Sequence, residues 1–177
     1  HHALALTLNR DVVAFGASSL SMVLFVESVK ALAALGICSS IAARKCMHVG
    51  AGPIFILTWP WFSPEGRIVA SLVPLAMTLK FAATGLGLVQ NEIEVRSMSR
   101  TGDPRELLRG PLLYGCVFVA MTLVSWRSIE GVAAVMALCL GDGFAEVAGR
   151  RFGHLPPGRL PWSRRKSWAG SSAFVLT

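Results

Sequence analysis

Long apolar stretches, separated by short blocks of charge, restrict this chain to very few folds. Of its 177 residues, 53% are hydrophobic and only 15% are charged, and the mean hydropathy is +0.56. A soluble domain of this length is rarely so apolar. We therefore predict an all-α fold, a polytopic transmembrane helical bundle.

The apolar runs predict about five spans and the start of a sixth, each long enough or nearly long enough to cross the hydrocarbon layer. The predicted spans are residues 12–38, 49–62, 68–89, 111–126 and 129–148, and the sixth run starts near Trp168. The chain begins His1-His2 and stops at Thr177, inside that last run. We therefore expect residues 1–177 to be a single integral membrane domain and a fragment of a longer chain.

The distribution of lysine and arginine supports this arrangement of spans. One side of the predicted membrane carries Arg44, Lys45, Arg96, Arg100, Arg105, Arg109, Arg150, Arg151, Arg159, Arg164, Arg165 and Lys166, whereas the other carries Arg10, Arg67 and Arg127. Such asymmetry is typical of cytoplasm-like loops, which also bind lipid headgroups. We expect membrane lipid rather than nucleic acid to account for the net charge of +7.

An acidic pair closes the fifth apolar run. On a helix, Asp142, Glu146, Gly149 and Arg150 share one stripe, and Arg151 follows. A charge inside a span costs about 2.5–3.5 kcal/mol, so such acids usually have a function. Mg²⁺ accepts one or two carboxylates, and we predict that Asp142 binds it, with Glu146 assisting nearer the interface. The alternative is a Glu146–Arg150 ion pair with Asp142 facing a wet crevice.

A basic segment precedes the sixth run. Arginine grips phosphate through two parallel hydrogen bonds and lysine acts as a point charge, so Arg165 and Lys166 are candidate phosphate ligands. Ser167, Gly170 and Ser171 follow at the start of the next helix and offer hydroxyl and N–H donors to an anion. The alternative is an ordinary positive flank of a membrane span.

Two other loops carry candidate residues. Arg44 and Lys45 could hold phosphate and His48 could act as a general acid or base, although a lone loop histidine is more often a surface residue. The turn at Asp103 predicts the start of a short helix with Glu106 near its first turn. The alternative for this second loop is a capped helix beside the membrane with solvated charges.

Together these segments resemble the polyprenol kinase family, most closely its phytol kinase branch. The matching segments, in family order, are Arg44-Lys45 with His48, SRTGDPRELLRGPLLYG from Ser99, GDGFAEVAGRRFG from Gly141, and LPWSRRKSWAGS from Leu160. The resemblance covers residues 43–171. It implies a membrane enzyme that transfers phosphate from CTP, or UTP, to a long-chain isoprenoid alcohol.

The resemblance further implies phytol as the alcohol, with farnesol, geranylgeraniol or dolichol as alternatives, and a plastid membrane, with the endoplasmic reticulum as the alternative. The expected catalytic residues are Asp142, His48, Asp103 and Lys166, and those expected to contact the nucleotide are Arg44, Lys45, Gly149, Arg150, Arg151, Arg165, Lys166, Ser167, Gly170 and Ser171. The later helices expected of the family are missing from this chain.

Two other functions stay open at this point. A phosphatidate cytidylyltransferase-like enzyme would also place acids and arginines at the membrane surface. A non-enzymatic transporter or scaffold would use the charges inside the spans, Glu27, Lys30 and Lys80. The sequence leaves the oligomeric state open.

Overall fold

The computed structural model describes residues 2–99 and 101–177, with side chains from residue 6 onward. The described residues form helices and connecting turns, and the predicted all-α bundle is confirmed. The α-helices are α1 (His2–Ala34), α2 (Ser40–Thr58), α3 (Arg67–Gly85), α4 (Glu92–Met98), α5 (Gly110–Val124), α6 (Ile129–Met136), α7 (Asp142–Phe152) and α8 (Trp168–Leu176). Two short 3₁₀ turns (Trp59–Trp61 and Pro104–Leu108) follow α2 and precede α5, and a π-helical segment (Ala137–Gly141) joins α6 to α7.

Four stretches within the described residues are long and apolar enough to cross a membrane. They are Leu6–Ala34, Arg67–Gly85, Pro104–Val124 and Ile129–Phe152. They correspond to the first, third, fourth and fifth predicted spans, with shifted ends. The second predicted span is the C-terminal part of α2, which begins nine residues earlier than expected, at Ser40. Because Arg44, Lys45 and His48 therefore lie inside this helix, its mean hydropathy falls below that of the other four.

Helix α2 nevertheless lies antiparallel to α1 along most of the length of α1. Near the start of α2, Met47 packs against Val29 of α1. Beyond its end, the carbonyl oxygens of Trp61 and Pro60 accept hydrogen bonds of 2.9 and 3.0 Å from the guanidinium of Arg10. A helix of 19 residues rises about 28 Å, which is close to the thickness of a hydrocarbon core. Helix α2 is therefore long enough to cross the membrane, as the orientation predicted from the distribution of lysine and arginine requires.

Polar and aromatic contacts close the bundle at the end where α1 begins. The carboxylate of buried Asp11 accepts hydrogen bonds of 2.6 and 2.8 Å from the backbone N–H and the hydroxyl of Ser63. The indole N–H of Trp126 donates to the carbonyl of Pro64 at 2.9 Å, and its ring lies 5.0 Å from that of Trp59. We call this region, defined by Asp11, Ser63, Trp59 and Trp126, the closed end.

The charged segments meet at the opposite end of the bundle. Met98, at the end of α4, packs against the same small cluster as Val29 and Met47, which places the segment before α5 beside the start of α2. Glu146 of α7 contacts Lys45 of α2 at this end. Parts of the three basic segments predicted for one side therefore converge, while Arg100 of that set lies outside the described residues.

The convergence predicts a common membrane side for two loops that are distant in sequence. In a variant without the 4 native cysteines, single cysteines in residues 97–109 and in 156–163 should react with a membrane-impermeant thiol reagent from the same side. A cysteine in residues 63–66, at the closed end, should react only from the other side. Labelling of the first two loops from opposite sides would contradict the single crossing by residues 129–152.

Candidate functional site

Helices α2 and α7 approach each other closely at Gly143. A Cβ atom at this position would collide with the side chain of Val49, so only glycine permits the observed spacing. The close approach places Lys45 on α2 beside Glu146 on α7. Each of these side chains lies on the face of its helix that points to the other helix, because His48, three residues after Lys45, also lies beside Asp142, four residues before Glu146.

Glu146 is held between two cations. Its Oε2 lies 3.0 Å from the ammonium of Lys45 and its Oε1 lies 2.6 Å from the guanidinium of Arg150. The nitrogen of Lys45 is buried, whereas the side chain of Glu146 is 32% exposed, so this pair joins α2 to α7 in a region partly shielded from water. Shielding strengthens the attraction and makes loss of one partner costly. The structure thus contains the Glu146–Arg150 ion pair that the sequence offered as an alternative to metal binding.

Asp142 faces the space beside α2 and is more exposed than Glu146. Its side chain is 62% exposed, compared with 32% for Glu146, and its Oδ2 lies 3.5 Å from Nε2 of His48. The sequence placed Glu146 nearer to water. The exposure is reversed because a cavity opens at Asp142, whereas Glu146 is covered by Lys45 and Arg150. At 3.5 Å the carboxylate and the imidazole are separated by more than an ordinary hydrogen bond.

Tyr114, the one tyrosine of the chain, fixes the position of His48. Its hydroxyl donates a hydrogen bond of 2.6 Å to the backbone carbonyl of His48, and the two rings lie 4.7 Å apart. The sulfur of Cys139 is 2.8 Å from the same hydroxyl. The sequence alone does not predict a role for Tyr114. Its only signal is its place in the GPLLYG part of the segment SRTGDPRELLRGPLLYG, one turn after Gly110.

A cavity of about 770 Å³ lies among α1, α2, α3 and α5, and one end of it reaches α7. The charged residues of its lining and His48 gather at that end and are Arg44, Lys45, His48, Glu106, Arg109, Asp142 and Glu146. The remainder of the lining is almost entirely apolar. We call the charged end the mouth and the remainder the body. A cavity of this size and division can hold an amphipathic molecule with a small polar group and a long hydrocarbon part.

The segment before α5 contains Asp103 and Glu106, which were predicted to lie in one short helix and which have different environments in the structure. Asp103 starts the 3₁₀ turn Pro104–Leu108, as predicted, and its carboxylate accepts a hydrogen bond of 2.9 Å from the N–H of Arg105. It is exposed and does not line the cavity. Glu106 does line the mouth, and its Oε1 accepts hydrogen bonds from the N–H and hydroxyl of Thr101.

Helix α8 packs against α7 through small residues. Gly149 and Gly170 face each other, and a Cβ on Gly170 would lie 2.9 Å from the carbonyl oxygen of Ala145. Ser167 caps α8 by accepting a 3.2 Å hydrogen bond from the N–H of Gly170. Gly149, which the resemblance implied as a nucleotide contact, is therefore approached closely by α8. None of these residues lines the cavity.

The remaining predicted nucleotide contacts lie outside the cavity. Arg165 and Lys166 are exposed in the loop before α8, Ser171 is half-buried in its first turn, and Arg150 and Arg151 are exposed at the end of α7. These groups form a basic surface next to the mouth, because α7 leads from Asp142 directly to Arg150 and the capped start of α8 packs beside Gly149.

Only part of the predicted metal site is open to a metal. Among residues 2–99 and 101–177, no group of three or more His, Cys, Asp or Glu side chains is arranged to hold a metal ion. Mg²⁺ needs only one or two carboxylates when phosphates and water complete its coordination. Asp142 fits such a site because its carboxylate faces the cavity. Glu146 would have to exchange Lys45 or Arg150 for the metal.

The charges inside the spans are locally paired. Lys30 lies 2.8 Å from Glu27 on the same helix, and Lys80 lies 3.0 Å from Glu94. Glu94 is only 2% exposed and also receives a hydrogen bond from Asn91. The Lys80–Glu94 pair joins α3 to α4, and the Lys30–Glu27 pair lies within α1. The two pairs therefore do not form the continuous polar path that a transporter would need.

Comparison with known proteins gives a consistent set of relatives. No family model and no solved structure matches the chain. It is 40% identical over 137 residues to a probable phytol kinase 1, chloroplastic, of Glycine max, 38% over 164 residues to a farnesol kinase, chloroplastic, of Arabidopsis thaliana, and 35% over 154 residues to a phytol kinase 1, chloroplastic, of Arabidopsis thaliana.

These alignments cover 76%, 91% and 85% of this chain but 44%, 52% and 50% of the respective relatives. The chain therefore spans about half the length of the curated relatives it matches. The similarity to phytol and farnesol kinases over most of this chain supports the polyprenol kinase family, in its phytol kinase branch.

Proposed function

We propose that this chain forms the alcohol-binding and phosphoryl-transfer part of a membrane kinase for long-chain isoprenoid alcohols, with phytol as the favoured substrate. The observation that carries the proposal is the single cavity, in which a charged mouth containing His48 and Asp142 continues into an apolar body. Relatives named phytol kinase and farnesol kinase support this substrate class. Their designation as chloroplastic supports a plastid membrane.

The mouth has the groups needed to activate an alcohol. With its hydrocarbon part in the body, the alcohol would present its hydroxyl between His48 and Asp142. Nε2 of His48 is buried and has no hydrogen-bond partner among the described residues, so it is available to accept the hydroxyl proton. The hydroxyl oxygen then forms a bond to the γ-phosphorus of the donor, and the bond from that phosphorus to the bridging oxygen breaks, releasing the nucleoside diphosphate.

Basic residues around the mouth would hold the donor, for which we propose CTP, with UTP as the alternative. Arg44 lines the mouth and can approach the γ-phosphate, while Lys45 supplies positive charge next to Glu146. Phosphoryl transfer depends on positioning and on neutralising the phosphate charge. The rest of the triphosphate would lie along the basic surface formed by Arg150, Arg151, Arg165, Lys166 and Ser171, with Gly149, Ser167 and Gly170 setting the backbone position of that surface.

Asp142 would hold a Mg²⁺ ion at the mouth, assisted by Glu146 if a phosphate takes over one of its cations. When bound, the metal would neutralise charge on the phosphate oxygens.

The test of the proposed function is an assay of alcohols and nucleotides. Membranes that contain the full-length protein should transfer the γ-phosphate of labelled CTP to phytol or geranylgeraniol and release CDP, and UTP should be compared in parallel. Efficient turnover of dolichol or diacylglycerol with no turnover of phytol or geranylgeraniol would show that the substrate class is wrong. Release of pyrophosphate instead of CDP would indicate a cytidylyltransferase.

Asp142→Asn should reduce kinase activity on the order of a thousandfold, because it removes the charge proposed to hold the metal while it preserves size and hydrogen bonding. Activity is measured across a Mg²⁺ titration at matched protein abundance. Glu130→Gln, an exposed acid at the other end of the same continuous helix, is the matched control and should keep wild-type activity. Near-normal turnover of Asp142→Asn at limiting Mg²⁺ would rule out the metal role.

The variants His48→Gln and Asp103→Asn test, one at a time, two of the residues that were predicted to be catalytic. His48→Gln should lower kcat by about 10²-fold or more, as expected for loss of a general base. Asp103→Asn should retain activity, because asparagine caps a helix about as well as aspartate and this side chain lies outside the cavity. An equal loss in both variants would mean that the mouth is not the reaction centre.

A further inference from the structure

The cavity body has a definite bottom. Phe55 of α2 and Phe118 of α5 both line it and are both buried, with ring centroids 5.9 Å apart. Phe55 is the seventh residue after His48, so the bottom lies about 10 Å along α2 from the mouth. We call Phe55 and Phe118 the floor.

The floor is supported from below by the closed end of the bundle. The ring of Trp59 meets that of Phe55 edge to face at 6.1 Å, and Trp126 lies 5.0 Å from Trp59. Neither tryptophan lines the cavity. Because protein interiors are close-packed, a chain that reached the floor could go further only by displacing this aromatic stack.

The cavity wall above the floor is adaptable. Four of the chain's 6 methionines line it, namely Met22, Met47, Met77 and Met98. Methionine is unbranched and polarisable and fills irregular gaps. A wall of this kind suits a methyl-branched hydrocarbon better than a wall of rigid β-branched residues would. An adaptable wall with a rigid floor allows variation in the branching of a ligand and limits its length.

We propose that the floor sets the maximum length of the hydrocarbon chain that the cavity accepts, and that Phe118 and Phe55 are therefore specificity-determining residues. This inference rests on the proposed function, since it takes the occupant to be the tail of a linear isoprenoid alcohol with its hydroxyl at the mouth. The apolar body beneath a charged mouth favours this occupant over lipids that carry a second charged group or a bulky headgroup, because that group would have to lie in the apolar body.

The experiment deepens the cavity with a substitution in the floor and shortens it with a substitution in the wall. Phe118→Ala in the full-length protein should deepen the cavity, and Ala51→Phe, on the wall between His48 and Phe55, should shorten it. For each variant, kcat/KM is measured for prenyl alcohols with 10, 15, 20 and 25 carbons. We expect Phe118→Ala to raise the ratio of long to short substrates by about tenfold and Ala51→Phe to lower it by a similar factor.

Phe62→Ala is the matched control, because Phe62 is fully buried in the same core but does not line the cavity. It should lower stability without changing the length ratio. Phe118→Leu is the milder variant if Phe118→Ala fails to accumulate. The inference is wrong if both cavity variants leave the ratio unchanged, or if Phe62→Ala shifts it equally.

A second readout separates this inference from the proposed function. Purified protein in detergent is incubated with tritiated alcohols of the same four lengths, and the retained label is measured without nucleotide. Retention that stops at one length in the wild type, and at a greater length in Phe118→Ala, supports the floor even if no alcohol is phosphorylated. Turnover of phytol with no dependence of retention or kcat/KM on the floor residues would overturn the inference and leave the kinase proposal intact.

Discussion

The pairing of Glu146 with Lys45 and Arg150 is the constraint on which the arrangement of the site depends. Charges at the edge of a hydrocarbon layer persist when they are paired, because each one alone would lose several kcal/mol of hydration. The Lys45–Glu146 distance of 3.0 Å fixes the rotation of α2 against α7, and the absence of a side chain at Gly143 permits that spacing. With this register, His48 and Asp142 face each other at the cavity mouth.

The two ends of the bundle then take different physical roles. At the closed end, Asp11 and Trp126 satisfy backbone groups of the segment after α2, so this end is held by hydrogen bonds as well as by aromatic packing. At the other end, the charges surround an opening that the packing leaves unfilled. An amphipathic substrate can be recognised by this difference alone, because its hydroxyl gains partners only at the mouth and its hydrocarbon part loses contact with water only in the body.

The sequence predicted what depends on local chemistry. Hydropathy located four spans, the turn chemistry at Asp103 located a cap, and charge asymmetry predicted the convergence of basic segments. The sequence could not show that α2 starts at Ser40. The free-energy cost of charged residues inside this helix is offset by ion pairs with a neighbouring helix, and hydropathy does not take such pairs into account. The contacts of Tyr114 with His48, the methionine wall and the part played by Glu106 depend on packing between helices distant in sequence. The packing of α8 against Gly149 was likewise not predictable, because a glycine permits close approach by a helix as well as by a nucleotide.

The closed end has a consequence for the sidedness of the reaction. The floor and the aromatic stack beneath it lie between the cavity body and the closed end, so under the proposed function the alcohol would react with its hydroxyl at the charged side of the bundle. Its new phosphate would appear in the same aqueous compartment as the spent nucleotide. Transfer of the product to the opposite leaflet would then be a step separate from phosphoryl transfer.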